Sequence, residues 1–115
     1  MELADRHCTP CRGGVAPLTQ DAAAARLAGL PGWQLADGAK RIVRCIHRPD
    51  FATALALVNR IGALAEQEGH HPDLKFGWGY VTVELFTHRI GGLHENDFIL
   101  AAKINALAPP ERDRH

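Results

Sequence analysis

Several features that would place a protein in a specialised class are missing from this chain. Lys and Arg number 13 and Asp and Glu also number 13, so the chain has no net charge at pH 7 with neutral histidine. Domains that bind nucleic acid or anionic membranes usually carry an excess or a patch of basic residues. The charge balance therefore argues against direct nucleic-acid binding and leaves binding to another protein open.

Long apolar segments are also missing. The longest apolar stretch, residues 51–58, is far shorter than the roughly 20 residues that a transmembrane helix needs. The first ten residues, MELADRHCTP, contain no apolar core of a secretory signal. We therefore expect a cytoplasmic protein that does not contact a membrane.

Cysteine is scarce, and the three cysteines cannot all pair within one chain. Cys8 and Cys11 form a C-x-x-C pair beside His7, which is typical of some redox and zinc sites. A zinc ribbon needs a second such pair, and residues 12–14 do not resemble the helix start that follows a thioredoxin-type motif. The simpler interpretation is a flexible arm with reduced thiols.

Histidine, by contrast, is abundant, with seven in 115 residues. His70 and His71 are adjacent. Imidazole changes its protonation near neutral pH, so clustered histidines indicate proton transfer or metal binding.

The spacing of apolar and turn residues predicts an α+β domain. The predicted elements are a helix over residues 21–28, strands over 33–35 and 40–47, a helix over 51–68, strands over 73–78 and 80–88, and a helix over 95–107. The order α-β-β-α-β-β-α is typical of a four-stranded antiparallel sheet with helices packed on one face. We expect an irregular arm over residues 1–17, one domain over 18–107 and a disordered tail over 108–115.

Two local patterns refine this prediction. The helix over 51–68 should begin after Asp50 and end at Gly69, with two apolar rows in its buried face. The rows are Phe51, Leu55 and Val58, and Leu57, Ile61 and Leu64. Asp37-Gly38 predicts a hairpin turn, and Trp33 is most simply an anchor in the core or at an edge.

Histidines should meet at one edge of the sheet. If the strands over 73–78 and 80–88 form a hairpin, residues 70–72 fall opposite residues 86–88. Three histidines, His70, His71 and His88, then converge. This cluster could perform acid–base catalysis, hold zinc, or be a polar hairpin end without a chemical role.

The segment EQEGHHPDLKFGWGYVTVELFTHRIGGLHEND, residues 66–97, resembles the signature of the pterin-4a-carbinolamine dehydratase family. The matching positions are Glu66, His70, His71, Pro72, Trp78, His88 and Asp97. The resemblance extends over about residues 18–107. It implies a lyase that eliminates water from 4a-hydroxytetrahydropterin to give quinonoid dihydropterin in tetrahydrobiopterin recycling. It also implies no metal, no organic cofactor, and a homodimer or homotetramer.

The resemblance also assigns site residues. It makes His70, His71 and His88 catalytic, and we favour His70 and His88 as the acid–base pair with His71 as orienter. The implied substrate contacts are Gly69, Pro72, Phe86, Thr87, Arg89, Glu66, Trp78 and Asp97. Three of these have other interpretations: Glu66 as a solvated charge, Trp78 as a hairpin residue, and Asp97 as a charge serving a helix N-terminus.

The sequence departs from the family pattern at two positions, and two alternative functions stay open. Gly69 stands where relatives often have a polar residue, and His94 stands where relatives have a serine helix cap, which predicts a weaker cap. Some relatives of this family stabilise transcription-factor dimers, so a protein-interaction role is one alternative. A dehydratase-like role in molybdopterin metabolism is another.

Overall fold

The computed structural model describes residues 3–8 and 16–110. These residues form three α-helices and four strands: α1 (Gln20–Leu27), β1 (Gln34–Ala36), β2 (Arg41–His47), α2 (Phe51–Glu68), β3 (Asp73–Gly77), β4 (Tyr80–Leu85) and α3 (Glu95–Leu107). All strand pairs are antiparallel, in the order β1-β2-β4-β3. The predicted α+β fold is therefore confirmed.

Helix α2 begins and ends where its sequence predicts. Asp50 accepts a hydrogen bond from the Thr53 backbone N–H, and the Thr53 hydroxyl accepts one from Asp50 N–H, which makes a reciprocal capping box. Gly69 ends the helix with φ of 67°, in the left-handed region that glycine adopts without steric cost. This stop places His70 immediately outside the helix.

The buried face of α2 is narrower than predicted. The buried residues are Ala54, Leu57, Ile61 and Ala65. Phe51 and Leu55 of the predicted first row are instead 46% and 39% exposed. The sheet covers one stripe at the spacing of a helical face, so Phe51 and Leu55 point away from it, whereas Val58 of the same row is half-buried against the core. The prediction that this row belongs to the buried face is therefore wrong for Phe51 and Leu55 within a single chain.

The core lies between one face of the sheet and helices α2 and α3. Val81, Val83 and Leu85 alternate inward along β4 as predicted, and each is fully buried. Trp33 is also buried, and its indole N–H donates to Asn105 Oδ1 at 2.9 Å. Of the two predicted roles for Trp33, the structure therefore supports that of a core anchor.

The N-terminal arm is more ordered than predicted. Leu3–Asp5 forms a 3-10 helix that packs on α3. The consecutive residues 98–101 of α3 are all buried, so this helix is covered on more than one side. The arm supplies part of that cover. Residues 9–15, including Cys11, lie outside the described part of the chain.

Several element ends differ from the prediction. Strand β4 ends at Leu85, and His88 opens a separate 3-10 helix, His88–Ile90, rather than closing the strand. The β1–β2 connection is a longer loop, in which Asp37, Gly38 and Ala39 all have positive φ. A turn signal in sequence specifies a reversal but not its length.

The start of the predicted tail is packed against the domain. Ala108 is buried, and Pro109 and Pro110 line a cavity together with Arg44 of β2. The prediction of disorder is therefore wrong for residues 108–110, whereas residues 111–115 lie outside the described part. Within the described residues, no helix is both long and apolar enough to cross a membrane.

Candidate active site

Asp97 is the centre of a buried polar network. Its side chain has no exposed surface, and its Oδ1 lies 2.6 Å from His70 Nε2. Its Oδ2 accepts hydrogen bonds from Thr87 Oγ1 at 2.9 Å and from the His94 backbone N–H at 3.0 Å. One carboxylate thus joins the segment that follows α2, the segment that follows β4 and the start of α3.

This network fixes the orientation of His70. A carboxylate oxygen only accepts hydrogen bonds, so we assign the His70 proton to Nε2, facing Asp97. Nδ1 is then the ring nitrogen that Asp97 does not engage. The His70 side chain is 11% exposed, so the ring is held between the buried carboxylate and the surface. A base oriented in this way by a buried carboxylate resembles the histidine of hydrolytic triads.

The neighbouring His71 has a second carboxylate partner. Its Nε2 lies 2.6 Å from Glu66 Oε2, although the two side chains are 60% and 77% exposed. Glu66 is thus a solvent-exposed charge that also pairs with His71. Solvent weakens such an exposed pair, so its contribution to stability is small.

His88 directly follows Thr87 in the chain, and Thr87 is the buried residue that donates to Asp97. Its exposed ring packs against Phe86, with ring centroids 4.1 Å apart. Extending the β3–β4 register by three places puts His70 opposite Thr87, which agrees with their shared partner Asp97. The sequence-based count was one residue off, because it placed the turn slightly differently.

Of the remaining predicted site residues, some lie next to the histidines in the chain and one, Trp78, does not. Gly69 and Pro72 flank the double histidine, and Arg89 follows His88 on the surface. Trp78 lies in the β3–β4 turn, at the end of the hairpin opposite Asp73, and is 73% exposed. Within this chain Trp78 therefore does not share a site with the histidines. Asp97 has no exposed surface, so in this conformation it reaches a ligand only through His70.

Two residues outside the predicted set of site residues, Arg41 and His94, support the site. Arg41 places its guanidinium carbon 4.1 Å from the Phe86 ring centroid. His94 caps α3, because its Nδ1 accepts the Asn96 N–H at 3.0 Å while Asp97 accepts the His94 N–H. His94 therefore does cap α3 through its side chain, although it is not the serine of its relatives. Only the β2–β4 register could have indicated Arg41, since its extension places Arg41 beside Phe86.

Residues of the N-terminal arm contact a second carboxylate whose side chain is buried, that of Glu68. Glu68, 2% exposed, accepts a hydrogen bond from Cys8 N at 2.9 Å and lies 3.0 Å from His7 Nδ1. Burial and the nearby Glu68 charge raise the pKa of the Cys8 thiol to about 12. The thiol therefore stays protonated at neutral pH, which disfavours Cys8 as a thiolate nucleophile.

A cavity of about 210 Å³ lies on the outward face of the β3–β4 hairpin, lined by Asp73, Leu74, Lys75, Thr82 and Glu84. Two of its lining residues, Asp73 and Glu84, also pair with Arg41. Among residues 3–8 and 16–110, no three side chains of metal-binding type converge on a point.

Known proteins are similar to this chain in sequence, and solved structures are similar to it in fold. The family model described as "Pterin 4 alpha carbinolamine dehydratase" matches residues 16–107. A Methylococcus capsulatus protein named "Putative pterin-4-alpha-carbinolamine dehydratase" is 49% identical, and the match covers 92% of this chain and 93% of that protein.

Two solved structures have similar folds. A transcriptional coactivator/pterin dehydratase from Brucella melitensis has a TM-score of 0.75 and 36% identity, covering 80% of this chain and 98% of that one. A pterin dehydratase-like protein described as a RuBisCO assembly factor in the alpha-carboxysome has a TM-score of 0.59 and 25% identity, covering 70% and 93%. From the matched segment and this shared fold, the chain belongs to the pterin-4-alpha-carbinolamine dehydratase family.

Proposed function

We propose that this protein is an enzyme that eliminates water from 4a-hydroxytetrahydropterin and releases quinonoid dihydropterin. The observation that carries the proposal is the buried Asp97–His70 pair at 2.6 Å, beside the surface histidines His71 and His88. The reaction breaks the C4a–O bond and removes a proton from a ring nitrogen. It therefore needs one group to give a proton and another to accept one.

His70 is suited to accept the nitrogen proton. Asp97 holds Nε2–H, so Nδ1 can take a proton, and the adjacent carboxylate stabilises the imidazolium that forms. His88 then gives a proton to the departing hydroxide, which leaves as water. Because histidine is present in both protonation states near neutral pH, the same residue type can serve both roles.

The other proposed contacts orient the substrate. His71, held by Glu66, would bind the pterin beside His70. Gly69, Pro72, Phe86 and Arg89 lie next to these histidines in the chain and would form the walls of the site. Thr87 is buried and donates to Asp97, so it would position the Asp97 carboxylate rather than contact the substrate. This mechanism needs no metal and no organic cofactor.

The test is the rate of 4a-hydroxytetrahydropterin dehydration, followed by ultraviolet absorbance, for the wild-type protein and for His70→Ala and His88→Ala. We expect each substitution to lower kcat by about 10²- to 10⁴-fold, the usual contribution of an acid–base group. His47→Ala is the matched control, since His47 is exposed at the far end of β2. A wild-type rate equal to the uncatalysed background would refute the proposal.

A protein-interaction role is the second candidate. Both solved neighbours are described by such a role, one as a coactivator and one as an assembly factor. Among described residues the exposed large hydrophobic side chains are Phe51, Leu55 and Trp78, which could contact another protein. This role predicts that a binding partner is retained by His70→Ala and His88→Ala.

Dehydration of a different pterin, as in molybdopterin metabolism, is tested with the same variants.

A further inference from the structure

Three side chains from different parts of the chain form a continuous stack on the outward side of the sheet. The Arg41 guanidinium carbon lies 4.1 Å from the centroid of the Phe86 ring. The Phe86 ring in turn lies 4.1 Å from the His88 ring, at an interplanar angle of 44°. The stack therefore joins the first residue of β2 to the histidine that follows β4.

Carboxylates hold the cationic end of this stack. Arg41 Nη1 donates to Glu84 Oε1 at 3.0 Å, and Arg41 Nε donates to Asp37 Oδ2 at 3.4 Å. Asp73 Oδ2 lies 3.9 Å from the same Nη1. Glu84 and Asp73 are direct cross-strand partners, and Arg41 lies between their like charges. The guanidinium is thus fixed by three separate segments, which lets it fix the ring beneath it.

His88 differs from the other two histidines in how it is held. His70 and His71 are each oriented by a carboxylate at 2.6 Å. Within the described residues no carboxylate pairs with His88, which is exposed on a three-residue 3-10 helix. The ring contact with Phe86 is therefore the interaction available to set its direction.

We propose that Arg41 is a positioning residue that holds His88 in its productive orientation through the Phe86 ring. This inference rests on the proposed function, because it takes His88 as a proton donor. Arg41 does not touch the reacting atoms. A proton donor that is misplaced by about 1 Å can lose about 10²-fold in rate, so a loosened stack should lower kcat more than it changes KM.

The experiment compares the wild-type protein with Arg41→Ala, Arg41→Lys and the control Lys75→Ala. Lys75 is an exposed cation on β3 at the same outward face, without a ring contact. Each variant is assayed for kcat and KM, and the His88 ring protons are followed by proton NMR, with His88→Ala identifying their signals. Circular dichroism and thermal unfolding check that each variant is folded.

We expect Arg41→Ala to lower kcat about tenfold with little change in KM. The His88 ring signals should move as the shielding by Phe86 weakens, whereas the His70 signals stay in place. Arg41→Lys keeps a cation over the ring and should recover most of kcat, and Lys75→Ala should match the wild type.

The two readouts separate failure of this inference from failure of the proposed function. His88 signals that stay in place in Arg41→Ala overturn the positioning role whatever the rate. Moved signals with an unchanged kcat, in an active wild-type protein, also overturn it. A wild-type protein without activity overturns the proposed function instead, and the NMR shift alone then decides whether Arg41 orients His88.

Discussion

At the scale of single residues, Asp97 has two tasks. It holds His70 at one oxygen, and at the other it accepts the His94 N–H at the start of α3. The sequence suggested either a substrate contact or a helix N-terminal charge for this residue. In the structure it serves the helix and orients a histidine at once, because its two carboxylate oxygens point to different segments.

Asp97→Asn should separate the catalytic task from folding. The amide presents a donor on one side, so one of the three hydrogen bonds to Asp97 is lost and His70 is oriented less firmly. We expect kcat to fall about 10²-fold or more and stability to fall by about 1–3 kcal/mol. Steady-state kinetics and urea unfolding measure the two effects.

Glu66→Gln is the control for Asp97→Asn, because it weakens the exposed carboxylate–histidine pair at His71. Its stability should stay within about 0.5 kcal/mol of the wild type. A full wild-type kcat in Asp97→Asn would show that the buried carboxylate has no part in the reaction.

At the scale of elements, the N-terminal arm completes the packing of α3. Lys103 of α3 donates to Ala4 O at 2.9 Å, and Arg6 pairs with Glu95 in the first turn of this helix. Buried Glu68, at the end of α2, accepts hydrogen bonds from the arm. Helix α2 ends just before His70, and α3 begins just before Asp97. By packing on these two helices, the arm supports the segments that carry the histidine network.

Glu68 should make the stability of this packing depend on pH. Burial alone would raise the Glu68 pKa, but hydrogen bonds from Cys8 and His7 and the Lys103 charge hold it below its ordinary 4.5. A lowered carboxyl pKa stabilises the fold above the ordinary value, and this stability is lost as the pH falls through the folded-state pKa. Acid should therefore loosen the arm.

Glu68→Gln tests this effect by urea unfolding at about pH 7 and about pH 3. We expect the variant to be about 1–3 kcal/mol less stable than the wild type near neutrality. The difference should shrink at the lower pH, because that pH lies below the ordinary Glu pKa of 4.5 and the stability that the lowered pKa provides is being lost there. Glu66→Gln is the exposed control. An equal difference at both pH values would contradict the prediction.

At the scale of the whole molecule, helices cover one face of the sheet and leave apolar side chains on the outside. Phe51 and Leu55 lie on the outer side of α2, and Phe51 is supported by Phe76 with ring centroids 5.7 Å apart. Apolar side chains spaced one turn apart on an exposed helix are typical of a contact surface. This arrangement supports the expectation of a homodimer or homotetramer.

Leu55→Asp should reduce the size of the assembly. A charge placed in an apolar interface is costly, whereas the same change at a 39% exposed position should leave the protomer folded. Sedimentation velocity should show a smaller species for the variant than for the wild type. Arg60→Ala, exposed on a different side of α2, is the control. Equal masses for the wild type and Leu55→Asp would exclude this face as the interface.

Local rules in the sequence determined the element order, the ends of α2 and the alternation of β4. Asp50, Gly69, Val81, Val83 and Leu85 act through backbone geometry and period, which depend on near neighbours alone. The motif spacing also identified the family and the segment that contains the histidines. These features could therefore be read before any contact was known.

Only the tertiary structure decided which side chains meet. The pairing of Asp97 with His70, of Glu66 with His71 and of Arg41 with Phe86 depends on register and on exact element ends. A shift of one residue reverses the face of a strand, and β4 ends three residues before His88 rather than at it. Contacts between residues 27 or 45 positions apart follow from the packing of whole elements, which no local pattern specifies.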